Sequence, residues 1–393
     1  MGASRVVTAS TSINRMASSS QRASNADVDQ SKSTESLVGS IRAAWQSCQS
    51  AVESNNKAAI RELHVQAKRC DRTTNFAELA AYLRRHRDYF PSGAKIEPSL
   101  IDPIVVPVYP QSLEEKLFKV MRGYWSMPYS KGYGRRLRFV VMDAYHNAVI
   151  GVIGLQSPSA DLACRDEYLG ASKSNKLSIV NSTLDAYTIG ASPTYAPLLG
   201  GKLVAGLLHA PEVRQEYRKS YGYSDETKRA ARPLLAITTT SAFGRSSIYN
   251  RLRFQNENLA KPLGYTKGFG TLHLESIYPE LTKWLKRENL FTPAGFGNGP
   301  KVRWQNIARA LDAMGIPRSH LEHGIRREVF IFELSRNLQE VCTEGAIPKF
   351  SDFSNSEWGS YWKERWCLPR VARHPDWYHF NPRSDIEQAL QRI

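Results

Sequence analysis

The chain has 393 residues, of which 41% are hydrophobic and 10% aromatic. That is enough apolar surface for a packed core and enough length for two or three domains, and it excludes a largely disordered chain. The formal charge of +16 permits binding to nucleic acid or another polyanion and says nothing of fold.

No apolar run approaches the ~18 residues of a membrane-spanning helix, so no membrane partner is expected. Cys48, Cys70, Cys164, Cys342 and Cys367 are odd in number and scattered, with no Cys-x-x-Cys. A disulfide framework or zinc site is not expected; reduced thiols in a cytoplasm are.

Residues 1–34 are rich in Ser, Ala and Thr and read as a disordered tail. Its basic residues resemble a transit peptide only superficially, and Val6 breaks the myristoylation pattern. Residues 35–90 read as a helical region: Leu37, Ile41, Ala44, Trp45 and Cys48 keep helical spacing, and Asp71 to Asn75 break the pattern. It ends on Arg84-Arg-His-Arg87, a run that reads as a solvated helix face or as a phosphate contact.

Residues 91–290 read as a central α/β domain. Pro91 to Pro110 is an extended, Pro-punctuated connector. Ser112 with Glu115 predicts a capped helix to about Trp125. Arg136 to Asp143 and Val149 to Leu155 predict a hairpin that turns at His146-Asn147. Ser178 to Ile189 fits a strand, although its periodicity also allows a helix. A glycine turn and a helix to about His209 follow, then a charged helix from Glu212 to Tyr221. Pro233 to Thr240 is a buried strand, Ser246 to Phe254 a helix, Phe269 to Leu274 a strand and Tyr278 to Glu288 a helix. Residues 291–393 read as a C-terminal extension. It has a break at GFGNGP, a helix from Val302 to Met314, a strand from Arg327 to Leu334, and an aromatic end from Trp358 to Phe380.

The stretch from Tyr187 to Leu208, YTIGASPTYAPLLGGKLVAGLL, runs from a strand through glycines into a helix. A P-loop is excluded, because Ala196 stands at its first glycine and Leu203 follows Lys202. The order strand, Pro-x-Tyr, glycine turn, helix resembles the pyrophosphate loop of acyl-CoA-dependent N-acetyltransferases, where amides at a helix start hold the phosphates. That resemblance implies an acyl-CoA site at Tyr195, Gly200, Gly201 and Lys202. Ala196 and Leu199 depart from it. Tyr249-Asn-Arg-Leu-Arg-Phe254 is similar to the segment whose tyrosine acts as general acid towards the departing thiolate, with Arg253 in place of glycine. The alternative is that the glycines allow close packing and Tyr249 is core. The expected fold class is α/β (α+β), with a central mixed sheet of acetyltransferase-like type, flanking helices, a helical N-terminal region and an aromatic C-terminal extension.

A longer, ordered set of motifs is more specific. RRLRFVVMDAYHNAVIGVIGLQSP, CRDEYLG, LDAYTIGASPTYAPLLGGKLVAGLL, LLAITTTSAFGRSSIYNRLRF and HGIRREVFIFEL together resemble the A-protein family of Druantia anti-phage defence systems, over roughly residues 80 to 345. The resemblance implies a bacterial cytoplasmic protein that acts with defence partners, including a helicase-like subunit, and it supplies no settled reaction. Within it, Asp166 and Asp185 stand beside Tyr249 as catalytic candidates. Arg165, Thr239, Ser241, Arg245, Ser246 and Ser247 are candidates for holding phosphate or another polar ligand beyond a strand end. Two structural alternatives remain open: Ser246 as a helix cap, and Arg165–Asp166 as a buried ion pair.

For a nuclease metal site Asp143, Asp166 and Asp185 are available but lie far apart in sequence, with no Asp…Glu-x-Lys on neighbouring strands, and a hydrolase's nucleophile elbow is missing. For nucleic acid the candidates are Arg135, Arg136 and Arg138 at the hairpin, and Arg365 and Arg370 among the C-terminal tryptophans. The tryptophans also fit a strap packed on the core. The expected role is therefore a defence component that binds nucleic acid or a partner complex through a basic surface. The enzymatic alternative is an acyl-CoA-dependent transferase using Pro193 to Lys202.

Overall fold

The computed structural model describes residues 33–69, 75–125, 127, 132–224, 229–230, 233–242, 244–293, 301–351, 353–379 and 381–391. Nearly all of the expected tail, most of the break at Asp71 to Asn75, and GFGNGP lie outside them. The protein is a mixed α/β protein of two compact units: residues up to 56 with 269–323, and residues 57–268 with 324–393.

The first unit is helical. Residues 33–53, Tyr278–Arg287 and Lys301–Ala313 form helices that bury Leu37, Ile41, Leu281, Leu285, Ile307 and Leu311 in one cluster. These are the positions that carry the three- and four-residue spacing, so the amphipathic pattern becomes the core.

The second unit is built on a seven-stranded sheet. Its strands are β1 (Pro103–Pro107), β2 (Leu137–Asp143), β3 (Ala148–Gln156), β4 (Thr183–Ala191), β5 (Ala236–Thr240), β6 (Lys261–Tyr265) and β7 (Glu328–Glu333). Their spatial order is β1-β2-β3-β4-β5-β7-β6. Every pairing is antiparallel except β4 with β5, which run parallel and pair Thr183 with Ala236, Leu184 with Ile237 and Asp185 with Thr238. Pro103 and Pro107 sit on an edge strand, where a missing amide is tolerated. Asn147 takes φ 50° in the β2–β3 turn, a left-handed conformation that asparagine enters readily.

Side chains alternate between the two faces of the sheet. On one face Phe139, Val141, Ile153, Leu184, Ile237 and Phe330 form the main core. On the other, Val140, Met142, Val149 and Val152 pack under helices α1 (Phe76–Arg85), α2 (Leu113–Tyr124) and, later in the chain, the final helix. α2 starts as its sequence requires: Ser112 Oγ accepts the Glu115 amide at 3.2 Å. Helices α3 (Gly200–Gly206) and α4 (Pro211–Tyr221) follow β4. The chain closes with α5 (Asn355–Trp362), a π-helical turn from Lys363 to Cys367, α6 (Leu368–Arg373) and α7 (Pro382–Gln391).

Three segments differ from expectation. Ser178 to Ile189 is both things its pattern allowed, a helix over Lys176–Asn181 and then β4. Ser246 to Phe254 forms only a short 3-10 turn at Tyr249–Arg251, because Arg253-Phe254 turns back at Gln255 (φ 52°) to pair with Glu257-Asn258. The strand expected at Phe269 to Leu274 lies upstream instead, as β6, whose KPLGY carries a proline and a glycine and survives because it is the other edge.

Candidate functional site

The parallel pair is where the sheet can open. Beyond Asp185 and Thr238 the two strands stop pairing: Ala186 to Ala191 pair with β3, and Thr239 and Thr240 with β7. The Thr239 hydroxyl bridges the gap by donating to the Ala186 carbonyl at 2.8 Å. Strands that part at their carboxyl ends leave the crevice in which open α/β sheets hold ligands.

The glycine turn lies at this end, and its own fold occupies several of its donors. The amides of Ala196, Leu198, Leu199, Gly200 and Lys202 all donate to carbonyls between Ser192 and Leu199. Leu199 takes φ 61°, and α3 spans only Gly200–Gly206. Lys202 points away from the turn: Nζ donates to the carbonyls of Ile248 at 3.0 Å and Arg251 at 3.2 Å, and lies 5.1 Å from the centre of the Trp366 ring. Burial, helped by Arg251, lowers its pKa to about 8. A Cβ on Gly200 would fall 2.7 Å from the Tyr195 carbonyl oxygen, so close packing explains this glycine.

The C-terminal segment covers the same turn. The Trp362 indole donates to the Leu199 carbonyl at 3.2 Å, Trp358 to Leu203 at 2.8 Å, and Arg370 Nε to Pro197 at 3.3 Å. Trp358 and Trp362 are wholly buried. The edge of Trp358 rests on Gly206, where a Cβ would lie 2.2 Å from its ring. The aromatic end is therefore a strap seated on α3, and it covers the turn at which a pyrophosphate was expected.

Tyr195 is buried beneath the turn. Its hydroxyl donates to Asp143 Oδ2 at 2.8 Å, and His146 Nδ1 meets the same oxygen at 2.7 Å. Asp143 Oδ1 accepts the amides of Asp102, Tyr145 and His146. The tyrosine thus ties the turn to the β2–β3 hairpin. Burial and the neighbouring carboxylate push its phenol well above the usual range.

Tyr249 packs edge-on to Phe330 and Phe332, with centroids at 5.1 and 5.9 Å. Burial pushes its hydroxyl up to about 12, partly offset by Thr239. Asp185 is on the opposite face of the sheet. It accepts from the Thr238 hydroxyl at 3.1 Å and from the Gln156 amide at 3.4 Å, and burial pushes it up to about 6. Gln156 Oε1 beside it is buried without a partner among the described residues. The neighbouring threonines Thr238 and Thr239 point to opposite faces, so the structure does not bring Tyr249 and Asp185 together.

The remaining candidates divide into buried and exposed. Arg165 is wholly buried, paired with Asp166 (Nε to Oδ1, 2.8 Å) and donating to Ser159 at 2.8 Å and Ala160 at 3.2 Å. It holds the loop together. Ser241 Oγ donates to the Gly244 carbonyl and accepts the Glu328 amide at 2.9 Å. Ser246 caps the turn at Tyr249 (3.3 Å), while its own amide donates to Glu328 Oε2 at 3.0 Å. Arg135 is spent on the carbonyls of Asn181, Val180 and Thr183 and on the Tyr217 hydroxyl. Arg138 pairs with Glu115 at 3.5 Å. Arg136, Arg245, Ser247 and Arg365 are exposed. Among the described residues, no group of His, Cys, Asp and Glu could hold a metal ion, and no helix is long and apolar enough to cross a membrane.

The family model described as "Druantia protein DruA" matches residues 54–344. The chain belongs to the Druantia DruA family. A DruA protein of Escherichia coli (strain UMEA 4076-1) is 36% identical over 334 residues, which is 82% of each chain. No solved structure matches. The DruA span takes in all seven strands of the sheet, the glycine turn and Asp185, and ends before the strap.

One group of residues near the Arg84 run escaped the sequence reading. Arg84, Arg87, Lys95 and Arg383 line one groove with Tyr378 and His379. The Arg84-Arg-His-Arg87 run and the aromatic end were each visible in the sequence, but the two walls lie almost 300 residues apart along the chain.

Proposed function

We propose that this chain is a recognition component of a Druantia anti-phage defence set, binding nucleic acid through its basic surface. It would work beside partner proteins that include a helicase-like subunit. The observation that carries this reading is the closed glycine turn. The amides of Ala196, Leu198, Leu199, Gly200 and Lys202 are bonded within the turn, Lys202 is committed to carbonyls, and Trp362 and Arg370 bond across it, which weighs against a cofactor there. Positive charge, in contrast, stays on the surface: Arg136, Arg245 and Arg365 are exposed and have no acidic partner among the described residues. Such charge supplies salt-dependent affinity for phosphates.

A second reading, an acyl-CoA-dependent transferase on an acetyltransferase-like sheet, draws on the single parallel pair and its parting beyond Asp185. It would require the strap to leave the turn. Calorimetry with acetyl-CoA, run beside DNA titrations over a salt series, separates the two. The expected result is no heat with acetyl-CoA and a DNA affinity that falls steeply with salt. Micromolar acetyl-CoA binding lost in Gly201→Asp would overturn the first reading in favour of the second.

A further inference from the structure

Two distant stretches of chain build a basic groove of about 810 Å³ in the second unit. One wall is the end of α1 and the turns that follow it, carrying Arg84, Arg87 and Lys95. The other is the turn at Pro375–His379 and the start of α7, carrying Tyr378, His379 and Arg383. The walls are fixed to each other. A Cβ on Gly93 would lie 2.6 Å from the Tyr378 Cα, so the backbone of Tyr378 rests directly on this glycine. Arg383 Nε donates to the Arg87 carbonyl at 3.2 Å.

The charge in this groove is only partly neutralised locally. Asp88 lies 4.0 Å from Arg87 and 3.8 Å from Arg383, with its side chain 90% exposed, and Glu387 is the other acid at the groove. Arg84 and Lys95 are exposed and have no acidic partner among the described residues. Basic residues in the last turn of a helix do complement its dipole, which accounts for Arg84 and Arg85. It does not account for Lys95, Arg383 and an exposed tyrosine converging on the same concavity. Gathered positive charge in a cleft focuses the field and draws polyanions to it.

The aromatic residues narrow the ligand. Tyr378 is 40% exposed, and its ring lies 4.3 Å from that of His379. Ring faces beside a row of cations match a strand whose bases are free to stack, whereas duplex bases are already stacked on one another. We propose that this groove binds single-stranded nucleic acid, with Arg84, Arg87 and Lys95 on phosphates and Tyr378 stacked on a base. The proposal rests on the nucleic-acid reading above and adds its site and strandedness.

The test uses the full chain and fluorescence anisotropy with labelled oligothymidylate, oligouridylate and a DNA duplex, over about 50–200 mM salt. Oligothymidylate or oligouridylate should bind more tightly than the duplex, and the tighter of the two identifies DNA or RNA. The triple variant Arg84→Gln, Arg87→Gln, Lys95→Gln should lower the magnitude of the log–log salt slope by about 2, at about 0.7 for each single-strand phosphate that it leaves without a cation. Tyr378→Ala should weaken binding by about tenfold with the slope unchanged. Glu387→Gln should strengthen it, a gain that misfolding does not produce. A triple variant with the parent slope would overturn the site and leave nucleic-acid binding standing elsewhere. Duplex binding as tight as single-strand binding would overturn the strandedness. A parent protein that binds none of the three would overturn both this proposal and the reading beneath it.

Discussion

Asp185→Asn should make the protein more stable at neutral pH, and more so the further the pH rises from 4 to 7. In the folded protein burial opposes the Asp185 charge, while the Thr238 hydroxyl, the Gln156 amide and the charge of Arg165 only partly restore it, leaving a pKa of about 6 against 3.8. The folded state therefore holds a proton through a window in which the unfolded chain has already released it. Stability from this group is fully present below the unfolded value and is lost as the pH rises through about 6. At about 1.36 kcal/mol per pH unit, that difference corresponds to about 3 kcal/mol at pH 7. Asparagine keeps a carbonyl oxygen for Thr238 and carries no charge to bury. Urea denaturation of parent and variant between pH 4 and 8 measures the difference directly. The two should be close near pH 4 and diverge to about 3 kcal/mol by pH 7. A constant gap across that range would refute the burial argument. A stabilised variant that no longer protects cells within an intact defence set would show that the ionised carboxylate is kept for function at a cost in stability.

Gly206→Ala places a methyl 2.2 Å from the Trp358 ring, so the strap must shift. The expected loss is about 1–3 kcal/mol with altered tryptophan fluorescence, and unchanged stability would contradict the packing described. Trp358→Ala should cost about 3–5 kcal/mol in chemical denaturation, since it empties a wholly buried site. Tyr195→Phe removes one donor from the buried Asp143 carboxylate and should cost about 1–3 kcal/mol; a neutral result would mean that the hydroxyl does not anchor the turn.

The sequence was most legible where local chemistry decides structure. Alternating and β-branched residues marked β2, β3, β5 and β7, Ser112 marked the start of α2, and the asparagine of His146-Asn147 marked the hairpin turn. It was least legible where an edge excuses a poor sequence, as in β6, or where tertiary pairing overrides period, as at Lys176–Ala191. The glycine turn was visible as strand, turn and helix. Its covering was not, because the bonds from Trp358 to Leu203 and from Trp362 to Leu199 span 155 and 163 positions. Pattern within a window carries no information about such pairs. A still longer separation hid the basic groove, whose two walls read separately as a solvated helix face or phosphate contact and as an aromatic tail.

The parallel pair at the centre of the sheet also limits what chemistry this molecule can do. A sheet has two faces, and a general acid and a general base serving one substrate must reach the same reacting atoms, within about 2.6–3.2 Å of the protons they move. Tyr249 stands on the face that carries Phe330 and Phe332, and Asp185 on the face of Thr238 and Gln156. The strands that separate them are held together past their last backbone pair by Thr239 on Ala186. A substrate reaching both groups would have to pass through that bridge. As built, each residue can serve only a ligand on its own side. The tyrosine side is filled by core aromatics, and the carboxylate side keeps an amide oxygen at Gln156 that has no partner among the described residues. If this sheet acts on a small molecule, its chemistry therefore belongs beside Asp185 and proceeds without Tyr249. Tyr249→Phe should leave any activity of the chain unchanged, and its abolition by that one hydroxyl would show that the strands open further in the working protein than Thr239 allows.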